Sequence, residues 1–119
     1  MELNLGGILV ATLTPFKENY DLDEAGLRRF IKNLVQTDGI RSYVCNAGAG
    51  EGSTLTREER IRCIEIINEE IGGRRPIVAG IEALSTREAI QQVKDAKDAG
   101  ASAVMLTPPH VFDWNAPAN

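Results

Sequence analysis

The sequence predicts an α/β protein with a parallel sheet, the first half of a (β/α)8 barrel: four parallel strands with three intervening helices. Three observations carry this. Four continuous apolar runs alternate with three stretches whose apolar residues recur at i, i+3, i+4 and i+7. The runs lack polar alternation, as strands covered on both faces do. The fourth run ends at Thr107-Pro108-Pro109 and is followed by residues 110–119 without a helical pattern, where a complete doubly wound domain would carry another helix. A full barrel needs ~250 residues and the chain has 119, so residues 1–119 read as one incomplete barrel domain. A doubly wound sheet is the competing architecture.

Each element has its own signals. Ile8-Leu9-Val10-Ala11 is the first apolar run, within a strand expected over 7–13. It stops at Thr14-Pro15, because proline offers no ladder donor and biases its predecessor away from helix. A helix is expected over 21–37, with Leu27, Phe30, Ile31, Leu34 and Val35 on one face and Asp21 as N-cap. The second strand, over 41–46, centres on Tyr43-Val44-Cys45 and runs into the turn Ala47-Gly48-Ala49-Gly50. Thr56 and Glu59 have capping-box spacing for a helix over 56–72, with Ile61, Ile64, Ile67 and Ile71 on its face and Gly72-Gly73 at its end. The third strand covers 76–80. Ser85 and Glu88 cap a third helix over 85–99, with Ala89, Ile90, Val93, Ala96 and Ala99 as its apolar face. The fourth strand covers 102–107.

Composition narrows the function classes. Apolar residues make up 43% and charged residues 25%, which is a globular balance. The formal charge of -4 argues against nucleic acid as a partner. No apolar run nears the ~20 residues of a membrane span, and residues 1–7 lack the pattern of a secretory signal. The two cysteines, Cys45 and Cys63, suit a reducing cytoplasm. One histidine cannot build a multi-histidine metal site within a chain.

Parallel α/β folds carry their chemistry at the C-terminal ends of strands. Four segments qualify: 14–16, 47–51, 80–83 and 107–110. The second is the most informative, since small residues admit a ligand close to the backbone and consecutive N–H groups cradle an anion. A tight βα turn without a ligand explains the same residues. Neither a Walker A loop nor a dinucleotide fingerprint fits its spacing. Glu51, the turn's one carboxylate, is either a general base or a brace that accepts backbone N–H bonds. His110 at a strand end is an acid, base or substrate donor, or an ordinary loop residue. Cys45, inside an apolar strand, reads as inert core.

Together these segments resemble the dihydrodipicolinate synthase / N-acetylneuraminate lyase family, the pyruvate-dependent class I aldolases. The opening Gly7-Ile8-Leu9-Val10-Ala11-Thr12-Leu13-Thr14-Pro15-Phe16 is similar to the family's first strand. Ala47-Gly48-Ala49-Gly50-Glu51 with Leu55, Thr56 and Glu59 resembles its Gly-Thr-Thr-Gly-Glu loop and following helix. Pro76-Ile77-Val78-Ala79-Gly80 and Thr107-Pro108-Pro109 resemble its third strand and the end of its fourth. The resemblance implies carbon–carbon lyase, synthase or hydro-lyase chemistry on a small 2-oxo acid such as pyruvate. It implies a Schiff base to a lysine on strand six, a relay tyrosine on strand five, no metal or organic cofactor, and a homo-oligomer. Gly48 and Ala49 would bind the substrate carboxylate through their N–H groups, standing where the family has two hydroxyl side chains. Glu51 would brace the loop. His110 and Val111 stand where the family has a tyrosine pair. The four lysines, Lys17, Lys32, Lys94 and Lys97, fall in a loop and in helices rather than on a strand. Residues 1–119 alone are therefore expected to be inactive; the alternative is a non-enzymatic half-barrel that pairs through its open sheet edges.

Overall fold

A computed structural model describes residues 2–109 of the chain. Four strands, β1 (Ile8–Ala11), β2 (Ile40–Cys45), β3 (Ile77–Glu82) and β4 (Ala103–Thr107), alternate with three helices, α1 (Glu24–Val35), α2 (Arg57–Ile71) and α3 (Thr86–Asp98). Every strand pair is parallel, and the sheet order is β1-β2-β3-β4. That order excludes the doubly wound alternative, in which the strand order reverses partway along the sheet. Successive right-handed crossovers that keep moving in one direction put every helix on one face, as in a barrel wall.

The core lies between that face and the helices. Tyr43, Cys45, Ile77, Ala79 and Ile81 meet Leu27 and Ile31 of α1, Cys63, Ile64, Ile66, Ile67 and Ile71 of α2, and Ala96 of α3. The strand residues among these alternate along the chain, so Leu9, Ala11, Val44, Val78 and Met105 take the opposite, concave side. Leu9 and Met105 are exposed there. A second exposed apolar area lies beyond β3, formed by Val104 and Leu106 of β4 with Ile90 and Val93 of α3.

Local chemistry sets the helix ends, with three departures from the sequence reading. Asp23, not Asp21, caps α1, its carboxylate accepting from Gly26 N at 2.9 Å. Asp21 is held instead by Asn19, with Asn19 Nδ2 donating to Asp21 Oδ2 at 2.8 Å. The antiparallel bridge Phe16↔Leu22 delays the helix start by that turn. The Thr56–Glu59 capping box is complete. The Ser85 cap is one-sided: Ser85 Oγ accepts from Glu88 N, while the Glu88 carboxylate turns to Gln92 Nε2. The face of α3 is also rotated from expectation. Gln92 and Ala96 are buried and Ile90 and Val93 are not, because α3 packs on β3 and α2 along one narrow side. Arginines join neighbouring helices: Arg28 of α1 reaches Glu69 and Glu70 of α2, Arg62 of α2 reaches Glu24 of α1, and Arg57 of α2 grips Asp95 of α3.

Candidate active site at the C-terminal ends of the strands

The turn after β2 is built around Asn46. Its φ of 55° is left-handed, a conformation asparagine tolerates better than most residues. The chain thereby bends sharply over β3. The residue beneath is Gly80, where an added Cβ would lie 2.4 Å from Asn46 O and 2.7 Å from Ala47 Cα. Gly52 closes the turn from the other side, its own Cβ position overlapping the Asn46 carbonyl. Asn46 is 3% exposed, and its Nδ2 donates to Arg60 O at 2.9 Å, which ties the turn to α2.

Residues Gly48–Gly50 and Gly52–Thr54 form two short 3-10 turns. Their closure uses particular groups. Gly50 N and Gly52 N donate to Ala47 O, and Glu51 N donates to Gly48 O. From the segment after β1, Thr14 Oγ1 donates to Gly50 O at 2.7 Å, while Thr12 N donates to Val44 O at 2.8 Å. The N–H groups of Gly48 and Ala49 donate to no acceptor among the described residues. Both residues are exposed, and a Cβ added at Gly48 would meet nothing within 4 Å. Two adjacent, unused amide donors thus belong to exposed residues at the C-terminal end of β2. That is the arrangement in which backbone binds an anion.

Glu51 sits in the left-handed region at φ 56°, between the two 3-10 turns. Its carboxylate is exposed and makes no hydrogen bond among the described residues. Its main chain does the closing: the Glu51 carbonyl accepts from Thr54 N at 2.9 Å and Thr54 Oγ1 at 2.8 Å. Ser53, Glu82, Ala83, Leu84, Glu88, Pro108 and Pro109 border a cleft beside the turn. His110 lies outside the described residues. The four lysines are exposed, on a loop (Lys17) or on α1 and α3 (Lys32, Lys94, Lys97).

Neither cysteine is poised for chemistry. Burial pushes both the Cys45 and Cys63 thiols up to about 12, where the reactive thiolate is scarce at neutral pH. Among the described residues no group of three His, Cys, Asp or Glu side chains is placed to hold a metal ion, and no helix is long and apolar enough to cross a membrane. Reading the sequence singled out 47–51 and 14–16 but missed Asn46, which shapes that turn, and did not join Thr14 to it. An asparagine directly after an apolar strand and before small residues was the available signal.

The model of the dihydrodipicolinate synthetase family matches residues 4–116. The chain belongs to this family. A 4-hydroxy-tetrahydrodipicolinate synthase from Methanothermobacter thermautotrophicus is 40% identical over 108 residues, covering 91% of this chain and 38% of the relative. The enzyme of that name from Bacillus subtilis is 35% identical over 108 residues, covering 91% of this chain and 37% of its own length. Among solved structures, a dihydrodipicolinate synthase from Bacillus anthracis superposes with a TM-score of 0.82 at 30% identity, covering 98% of this chain and 39% of that one. One from Aquifex aeolicus superposes with a TM-score of 0.80 at 32% identity, covering 93% and 36%. The chain thus spans little more than a third of the relatives it matches. Its four strands and three helices are the N-terminal part of the family's (β/α)8 barrel.

Proposed function

We propose that this chain is the N-terminal portion of a class I, pyruvate-type aldolase or lyase and supplies its carboxylate-binding turn. The observation that carries the proposal is the pair of unused N–H donors at Gly48 and Ala49, at the strand end where barrels of this kind place their chemistry. In this reading the two amides hold the carboxylate of a small 2-oxo acid. Glu51 braces the turn through its main chain, and His110 is the candidate contact for the aldehyde or leaving group.

The chemistry requires an amine that attacks the substrate carbonyl, loses water to give a Schiff base, and then serves as electron sink. Such an amine needs a desolvated site to be unprotonated near neutral pH. The exposed lysines of residues 1–119 have no such site. These residues alone are therefore inactive, and a full reaction needs the strands that carry the lysine and the relay tyrosine.

The test is incubation with pyruvate and borohydride followed by intact-mass measurement, for the chain alone and for the chain mixed with strands five to eight of a relative. No adduct is expected alone, and a one-to-one adduct on the added half is expected in the mixture. An adduct on Lys17, Lys32, Lys94 or Lys97 of the chain alone would overturn the assignment. In the reconstituted barrel, Gly48→Val should weaken 2-oxo-acid binding about tenfold or more, the scale of one lost charge-assisted hydrogen bond. Ser53→Ala should leave binding little changed.

A second reading, a half-barrel that works by pairing, is favoured by the exposed Val104, Leu106 and Ile90 beside the open β4 edge. It predicts a homo-oligomer by light scattering and no adduct, either for the chain alone or in the mixture.

A further inference from the structure

We infer that a single water molecule is a fixed part of this protein, bridging Asn46 of the β2 turn to Gln92 of α3. Asn46 and Gln92 are 3% and 5% exposed. The side-chain carbonyl oxygen of each, Asn46 Oδ1 and Gln92 Oε1, is fully buried without a donor among the described residues. Both residues line the same small cavity, walled by Ile64, Ala79, Gly80 and Ala96 and with room for no more than about one water molecule.

Rotating either amide would not relieve the shortage. Asn46 Nδ2 already donates to Arg60 O at 2.9 Å. Gln92 Nε2 already donates to Glu82 O at 2.9 Å and to Glu88 Oε1 at 3.1 Å. A flip would set carbonyl against carbonyl or carboxylate, so the acceptors are fixed where they are. Arg57 and Arg60 also border the cavity, but their bonded nitrogens are spent elsewhere: Arg57 on Asp95, and Arg60 Nη1 on Leu55 O at 2.7 Å.

The cavity therefore presents two acceptors to a ligand of one heavy atom that must donate twice. Water meets both conditions, and an apolar occupant or an anion has no proton to donate. A buried acceptor left without a donor costs more than a typical hydrogen bond contributes, so the water is retained. Its consequence is a link between layers. Asn46 holds the turn to α2 through Nδ2 and, through the water, to α3. This site lies behind the turn rather than at the Gly48 and Ala49 donors, so it stands whether or not those donors bind a carboxylate.

The test is a crystal structure of the chain at a resolution that locates ordered water, with oxygen-17 relaxation dispersion in solution. One water within hydrogen-bond distance of both Asn46 Oδ1 and Gln92 Oε1 is expected. In solution, Ala96→Val, which adds methyl groups to the cavity wall, should lower the count of long-lived waters by one. A dry cavity, a rotated amide, or an arginine nitrogen between the two oxygens would overturn the inference. An unchanged water count in Ala96→Val would do the same, and if that variant fails to fold the parent crystal structure decides alone.

Discussion

Replacing Gly80 by alanine tests whether the β2 turn is held by close backbone contact. The new Cβ would stand 2.4 Å from Asn46 O and 2.7 Å from both Ala47 N and Ala47 Cα. These separations lie well inside the ~3.5 Å of ordinary contact. The atoms met are main chain, in a turn pinned by Thr14 from the segment after β1 and by Arg60 O from α2, so no flexible side chain can swing away. Overpacking of this kind costs about 1–3 kcal/mol, occasionally more. Gly48, two residues after Asn46, is the internal control. Its φ is not positive and its Cβ would meet open space, so Gly48→Ala should be neutral or gain about 0.4–1 kcal/mol by restricting the unfolded chain. Urea unfolding of the two variants should therefore differ by roughly 1–4 kcal/mol, with Gly80→Ala the less stable. Equal midpoints would show that the turn yields freely and that its shape does not depend on the glycine beneath it.

Other consequences are as direct. Asp95, gripped by Arg57 through two hydrogen bonds at 2.7 and 2.8 Å, has its carboxyl held down to about 2. The group is more acidic folded than unfolded, so its contribution is present above about pH 4 and fades as pH falls toward about 2. Asp95→Asn should accordingly lose stability at neutral pH, with the gap to the parent closing in acid; a gap that persists at pH 2 would refute this. The buried Cys45 and Cys63 thiols should resist a thiol reagent at pH 8 in the folded chain and react at the rate of unfolding; prompt labelling of either would count against their burial. Tyr43 is fully buried with no partner for its hydroxyl among the described residues, so Tyr43→Phe should be at least as stable as the parent. A loss above ~1 kcal/mol would mean that the hydroxyl has an acceptor.

Much of this protein is settled by local sequence. Continuous apolar runs, 3.6-period faces and caps such as Thr56–Glu59 place seven elements in order, since these signals act within one turn or one strand. The alternation of strand and helix also requires parallel pairing through crossovers. Only the tertiary structure decided the remainder. Asp23 displaced Asp21 as the cap because Phe16 and Leu22 pair across the preceding turn. Gln92 took a buried place on α3 that Ile90 and Val93 were expected to fill, because burial there follows the position of β3 and Glu82 O supplies a partner for its amide. The turn after β2 was legible as small residues, but its donors were not. Which N–H groups are spent and which stay open depends on the left-handed Asn46, the missing side chain at Gly80 and the Thr14 hydroxyl from the segment after β1. Those residues lie 32 to 66 positions apart in the chain, and the periodicity of a single segment carries no information about contacts at that range.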